Sequence, residues 1–297
     1  MLALIDGDIV AHRVAWTVED QDSFGIPRWR CDEMLDGILA DTKATEFTVY
    51  LSGNAEDNFR YKIYPRYKES RIGKPRPKWL DTLKEHLIVQ WGAQIANGME
   101  ADDALGIHQD KECYSTVICS IDKDLLQIPG AHYNFVKKEW QYVTESEGLK
   151  RFYRQILTGD SGDDIPGLFG IGPTKSFRLL AECQTESDLL NAVYRAYTKR
   201  YKHGTLSPMD ARAQIQRNGS LLKIKQHEDE GVWECPFHLL KPTEDGMQLS
   251  TPPKPEANNP STEQSLSVET GDGPPLHGTL TAVTQEPQAD SVQSQKQ

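Results

Sequence analysis

Apolar residues recur along this chain with two different periods. Short apolar runs stop abruptly at acids or small polar residues. Ala3-Leu4-Ile5 ends in Asp6-Gly7-Asp8, and Thr116 to Ser120 is followed at once by Ile121-Asp122-Lys123-Asp124. Glu46 to Leu51 gives a third run, closed by Ser52-Gly53. Runs of this length between turn residues predict buried strands. The spacing becomes helical after Asp8 through Val14 and again from Leu80 to Trp91. Strands alternating with helices predict an α/β fold, a mostly parallel sheet with helices on both faces. Sheets of that kind place their sites beyond the C-terminal edges of their strands. From Ser146 to about His203 the pattern is helical, which predicts an appended helical region. After Phe237 there is no aromatic residue, and from Pro242 to Gln297 the chain is rich in Pro, Ser, Thr and Gln. That composition cannot bury a core and predicts a disordered tail. The expected division is residues 1–145, 146–241 and 242–297.

The stretch from Thr158 to Leu180 joins two chemistries. Asp160 and Asp163 stand three apart, so a helical turn opening at Asp160 would put both carboxylates on one face. The run Ile165 to Pro173 follows, with Gly167, Gly170 and Gly172 suited to a tight hairpin. A helix from Thr174 would aim its free N–H groups back at that hairpin, an arrangement that holds phosphate. An ordinary helix–turn–helix with exposed acids fits the same stretch taken alone.

Other acids share its setting. Asp6, Asp122 and Asp124 fall at strand ends, and Glu100, Asp102 and Asp103 at the apparent start of a helix. Acids in a first helical turn are also favoured by the helix dipole. Gathered in one place, however, so many carboxylates repel unless a cation neutralises them. An oxygen-only donor set suits Mg²⁺ or Mn²⁺ over zinc.

Charge changes this picture less than it first suggests. The net charge is −11, but residues 242–297 hold eight acids and two bases, leaving about −5 on residues 1–241. Setting eight metal-bound carboxylates aside, the body is slightly basic, so a nucleic-acid partner is not excluded. Between Tyr61 and Lys78 lie seven Lys or Arg and a single acid, Glu69, with Tyr61, Tyr64 and Tyr67 interleaved. Such a segment neutralises phosphates and offers aromatic faces to unstacked bases, as a mobile loop or arch. A solvated basic loop is the plainer alternative. The scattered cysteines (Cys31, Cys113, Cys119, Cys183, Cys235) contain no CxxC pair, which predicts a reducing cytoplasm without disulfides. No apolar run approaches membrane-spanning length, and the opening apolar run is too short for a signal peptide.

Together these pieces resemble the 5′ nuclease family: flap endonucleases, the 5′→3′ exonuclease domain of bacterial DNA polymerase I, and small phage exonucleases. The resemblance rests on Asp6-Gly7, Phe59-Arg60 with Tyr64 to Arg71, Glu100 to Asp103, Asp122-Lys123-Asp124, and Gly159-Asp160 through Gly172-Pro173. It covers roughly residues 1–180, and the chain's size looks most like a phage member. It implies a PIN-like nuclease core with a helix-hairpin-helix element. Asp6, Glu100, Asp102, Asp103, Asp122, Asp124, Asp160 and Asp163 would surround two divalent ions, with Asp6 and Asp122 central to catalysis. Lys68 and Arg71 match the family's basic pair on the scissile phosphate. Arg60, Arg66 and Lys74 would add DNA contacts. Gly170, Ile171, Gly172 and Lys175 would hold duplex DNA, with K⁺ bridging at the hairpin. The implied partners are DNA with a 5′ end or flap and, by extension, RNA at a primer 5′ end. The protein is expected to be a cytoplasmic monomer (host cytoplasm if phage-encoded).

Several positions depart from the family pattern. Ser52 stands where many members carry an Asp, and Asp57 is offset from it. Asp164 stands where Asn is frequent, and Asp8, also at an Asn position, reads as a helix cap or a contact to metal-bound water. Rival readings are a phosphatase with Asp6 as nucleophile and Asp8 as acid, a DNA-binding protein without turnover, and a ribonuclease for single-stranded RNA.

Overall fold

The computed structural model describes residues 1–112, 115–201 and 207–241, so the tail expected from Pro242 lies outside the described residues. The chain opens with β1 (Leu2–Asp6), α1 (Gly7–Thr17), α2 (Gly25–Thr42) and β2 (Glu46–Ser52). It continues through a short α3 (Phe59–Ile63), α4 (Leu80–Trp91), β3 (Gln94–Ala96), α5 (Ala101–Lys111) and β4 (Thr116–Cys119). The hairpin β5 (Gly130–Asn134) and β6 (Glu139–Val143) leads to α6 (Glu145–Thr158), the two-residue strands β7 (Gly159–Asp160) and β8 (Ile165–Pro166), then α7 (Pro173–Leu180), α8 (Glu186–Tyr201) and α9 (Pro208–Leu222).

Six strands form one sheet in the order β3-β2-β1-β4-β5-β6. The first five are parallel, and β6 runs antiparallel to β5. The central strand alternates its side chains between two cores. Ala3 and Ile5 join Val10, Leu35, Leu83 and Val117 on the side of α1, α2 and α4. Leu4 packs with Leu105, Ile118, Ile128 and Ile224 on the side of α5. Burial on both faces is why β1 and β4 read as continuous apolar runs.

The predicted strands β1, β2 and β4 and the helix α4 are present. The apolar pattern did not reveal α2, because its buried residues Pro27, Cys31, Leu35 and Ile38 are one per turn among Arg, Asp and Glu. The edge hairpin β5–β6 was missed too: four of the five residues of β6 face solvent. Helix α6 starts with a capping box, in which Thr144 and Glu147 exchange hydrogen bonds. It packs against α7, α8 and α9.

Candidate active site

The acids come together at the C-terminal edge of the sheet. Asp6 ends β1 and caps α1, its Oδ1 accepting from Ile9 N at 3.0 Å and its Oδ2 from Ser120 Oγ at 2.7 Å. Burial pushes its carboxyl up to about 7, the charges of Asp8 and Asp122 adding to the rise while the two hydrogen bonds oppose it. Asp102 on α5 is also raised well above the ordinary carboxylate range, by burial and then by the charges of Asp6, Asp122 and Glu100. Asp124 reaches about 6 through burial and the nearby Asp122 and Asp160. Asp163 is raised by burial, with Asp160 and Glu100 adding and Lys68 and Arg71 opposing. Acids from β1, α5, the loop after β4 and the β7–β8 turn thus lie in one another's field. Mutual repulsion of this kind favours a cation among them.

Asp160 and Asp163 reach the cluster on a hairpin turn, not on the helical turn considered from their spacing. Gly159 pairs with Pro166 and Asp160 with Ile165, so Asp160 ends β7 and Asp163 sits on the connection. Gly159 has φ +65 and lies so close to the Ile165 carbonyl and Gly167 N that any side chain there would overlap them. This backbone contact makes the turn tight.

Part of the basic segment closes onto this turn. Lys68 N donates to the Asp163 carbonyl at 3.0 Å, and Ser70 N donates to Asp164 Oδ2 at 2.7 Å. Lys68 Nζ pairs with Glu100, and Arg71 pairs with Asp163 and the Gly162 carbonyl. Residues 61–78 are therefore pinned at their middle to the acidic turn and do not stand clear of the body as a free arch. Lys68 itself has φ 56, a left-handed conformation. Tyr67 is 2% exposed, so it offers no face to a base. Its hydroxyl lies 3.1 Å from Glu100 Oε1 and 3.0 Å from Asp163 Oδ2, one proton bridging two carboxylates. Nothing in the sequence distinguished it from Tyr61 or Tyr64.

Three expectations need correction. Arg60 was expected to touch DNA, but it is 3% exposed and its guanidinium is bound by Asp103 and two backbone carbonyls. Asp103 was expected to hold metal, but its oxygens already accept from Arg60 Nη1 and Nη2 (2.6 and 2.9 Å), Glu100 N (3.1 Å) and Lys225 N (3.0 Å). A carboxylate offers about four acceptor sites, so Asp103 has none to spare. Asp8 does not cap α1. Its Oδ2 accepts from Ser52 N at 2.8 Å and its other oxygen pairs with Lys84 of α4.

Arg66 is exposed and paired with Glu69, and Lys74 is exposed. At the hairpin, Gly170 has φ +77, Ile171 N donates to the Leu168 carbonyl at 3.0 Å, and Gly172 opens α7 with Pro173 in its first turn. Lys175 Nζ donates to the Gly170 carbonyl at 2.9 Å, bracing the turn. Among the described residues no three carboxylate, imidazole or thiol groups stand close enough to close on one ion. Lys68 and Arg71 occupy Glu100 and Asp163 instead. No helix among these residues is long and apolar enough to cross a membrane.

A mostly parallel sheet with an acidic cluster at its C-terminal edge and a glycine hairpin behind it defines a PIN-like nuclease fold. The chain belongs to the 5′–3′ exonuclease family: residues 1–153 match the model of its N-terminal resolvase-like domain. Its relatives include the flap endonuclease Xni of Shewanella putrefaciens (strain CN-32), 27% identical over 213 residues, 67% of this chain and 81% of the relative. The Xni of Shewanella sp. (strain ANA-3) is 29% identical over 67% of this chain and 82% of its own length. In fold the chain is similar to the bacteriophage T5 D15 flap endonuclease solved with DNA and metal ions (TM-score 0.57, 17% identity, 74% of this chain and 88% of that one). It is equally similar to the T5 5′-exonuclease with bound zinc (TM-score 0.57, 18% identity, the same coverage). By family the protein is a 5′ nuclease.

Proposed function

We propose that this protein is a divalent-metal-dependent 5′→3′ exonuclease and flap endonuclease that hydrolyses phosphodiester bonds near 5′ ends of DNA. The observation that carries the reading is the convergence at one sheet edge of acids from four separate segments, Asp6 at the end of β1, Asp102 on α5, Asp124 after β4 and Asp163 on the β7–β8 turn. Each is raised chiefly by burial and further by neighbouring acids. Hard oxygen donors without His or Cys suit Mg²⁺ or Mn²⁺. Two such ions would be held by Asp6, Glu100, Asp102, Asp122, Asp124, Asp160 and Asp163 once Lys68 and Arg71 release Glu100 and Asp163 and the acids draw together. When bound, the ions supply an activated water and neutralise charge on the phosphate. Lys68 and Arg71 would exchange Glu100 and Asp163 for the scissile phosphate, stabilising its developing negative charge. Gly170, Ile171 and Gly172, with K⁺, would seat the backbone of duplex DNA, and Arg66 and Lys74 would meet phosphates at the entrance. Recognition is then of shape and a free end, with RNA 5′ ends as a further substrate. The enzyme would act as a cytoplasmic monomer in phage DNA replication or recombination.

The test is cleavage of a 5′-labelled flapped duplex by wild type and Asp160→Ala, with Mg²⁺ and with EDTA. Mg²⁺-dependent release of 5′ product, lost in the variant, is the expected result. Tight binding without cutting in Mg²⁺ and in Mn²⁺ would instead favour a non-catalytic DNA-binding protein. One observation points that way: Glu100 and Asp163 are engaged by cations of the chain itself.

A further inference from the structure

The segment that ends α9 and follows it carries no member of the acid cluster, yet it is bonded to the supports of three acid-bearing segments. At its start, Asn218 Nδ2 donates to the Pro166 carbonyl at 2.8 Å, at the base of the Asp160–Asp163 turn. In the middle, the Leu222 carbonyl accepts from Gln127 Nε2 at 2.8 Å. Gln127 also donates to Gln155 Oε1, and Gln155 Nε2 donates to Asp124 Oδ1, each at 2.7 Å. Toward its end, the Leu221 and Lys223 carbonyls accept from Arg60 at 2.8 and 3.0 Å, while Lys225 N donates to Asp103, three residues from Glu100. Ile224 is buried beneath α5 with Leu4 and Leu105. The Lys225 carbonyl lies so close to Gly106 of α5 that a side chain there would overlap it.

Backbone groups held by a planar guanidinium and by side-chain amides have little freedom to shift singly. Metal and catalytic sites need their ligands held to about 0.5 Å, which surface loops do not provide unaided. We propose that residues 218–225 form a positioning strap that sets the spacing between the carboxylates on α5, after β4 and on the β7–β8 turn, with Arg60 as its main positioning residue. The catalytic consequence rests on the nuclease reading. The mechanical coupling does not.

The experiment uses the full chain, wild type, Arg60→Met and Arg60→Lys. It measures amide hydrogen exchange in EDTA, Mn²⁺ binding by calorimetry, and kcat and KM on a duplex with a 5′ end. In Arg60→Met, the opening free energy of amides in residues 101–106 and 221–225 should fall together, their exchange speeding by at least about tenfold beyond that of other segments of similar protection, while β1 and β4 report only the global loss of stability. Mn²⁺ affinity and kcat should each fall about tenfold while KM for DNA stays within about twofold, and Arg60→Lys should recover part of both. Faster exchange confined to 221–225, with α5 and Mn²⁺ affinity unchanged, would overturn the strap. So would tighter Mn²⁺ binding in Arg60→Met, since Asp103 would then be a ligand that Arg60 withholds. Should Arg60→Met not fold, Arg60→Met with Asp103→Leu removes both charges, and an apolar replacement of a buried pair is generally tolerated. A wild type that cuts nothing while Arg60→Met still shows coupled exchange would end the nuclease reading and leave the strap standing.

Discussion

Two arginines, Arg60 just before the basic segment and Arg71 within it, both paired with aspartate, serve opposite ends. Arg60 and Asp103 have side chains 4% and 0% exposed, backbone N–H groups fill the acceptor sites that Arg60 leaves on Asp103, and two further Arg60 N–H groups donate to backbone carbonyls. Burial works against the charge on Arg60, but Asp103 more than offsets it and holds the guanidinium firmly protonated. Arg71 is 56% exposed against 17% for Asp163, and beside them Lys68 and Glu100 are each 15% exposed. In the first pair the carboxylate is saturated and both partners are closed off from solvent. The second faces solvent through Arg71, and under the proposed function a phosphate or a metal ion would replace one partner or the other. Residue type is the same in both, and the difference lies in how many donors and acceptors are left for a ligand.

The largest expected effect breaks the buried pair. Arg60→Ala strands Asp103 and should destabilise the metal-free protein by about 3–5 kcal/mol in urea denaturation, whereas Arg71→Ala should change it by less than about 1 kcal/mol. A destabilised Arg71→Ala would erase the contrast. Next, Lys68→Ala should lower kcat by about 10²–10³-fold with a much smaller change in DNA affinity. Equal losses in both would mean that Lys68 only docks the backbone.

A pH experiment sharpens the comparison from the acid side. Asp6 is raised from 3.8 to about 7, so between those values the folded protein binds the proton that the unfolded chain has released. Stability from this group is present at low pH and is lost as pH rises toward 7, on the order of 4 kcal/mol. Asp6→Asn should flatten that part of the profile in EDTA, and Mg²⁺ should flatten it in wild type. An unaltered slope in the variant would show that Asp6 is not the group responsible. The smallest expected effect is Asp8→Asn, which releases Lys84 and weakens the bond from Ser52 N, costing about 1 kcal/mol by thermal melting.

Much of this was legible in residue order. The strand ending in Asp6, the strand before Asp122, the helix begun by Glu100 and the hairpin before Pro173 were all marked by apolar runs and turn residues, because both report local backbone preference and burial. Helix α2 was hidden by its thin apolar stripe, and β5–β6 by exposure at the sheet edge. The site was legible as a set of residues but not as a set of roles. Tyr67 looked like a base-stacking residue and is a buried bridge between two carboxylates, and Asp103 looked like its neighbour Asp102.

By itself the sequence determined which side chains could form an acidic centre, that strand ends would deliver them, and which family they belong to. Only the tertiary structure decided which acids remain open to a ligand. It joined Arg60 to Asp103 across 43 residues and Lys225 N to Asp103 across 122, and with the Glu100 N–H these satisfied a carboxylate completely. A carboxylate's role depends on how many of its acceptor sites are already taken and how much water it has lost. Both quantities are set by groups far away in the chain, and neither is a property of the local sequence.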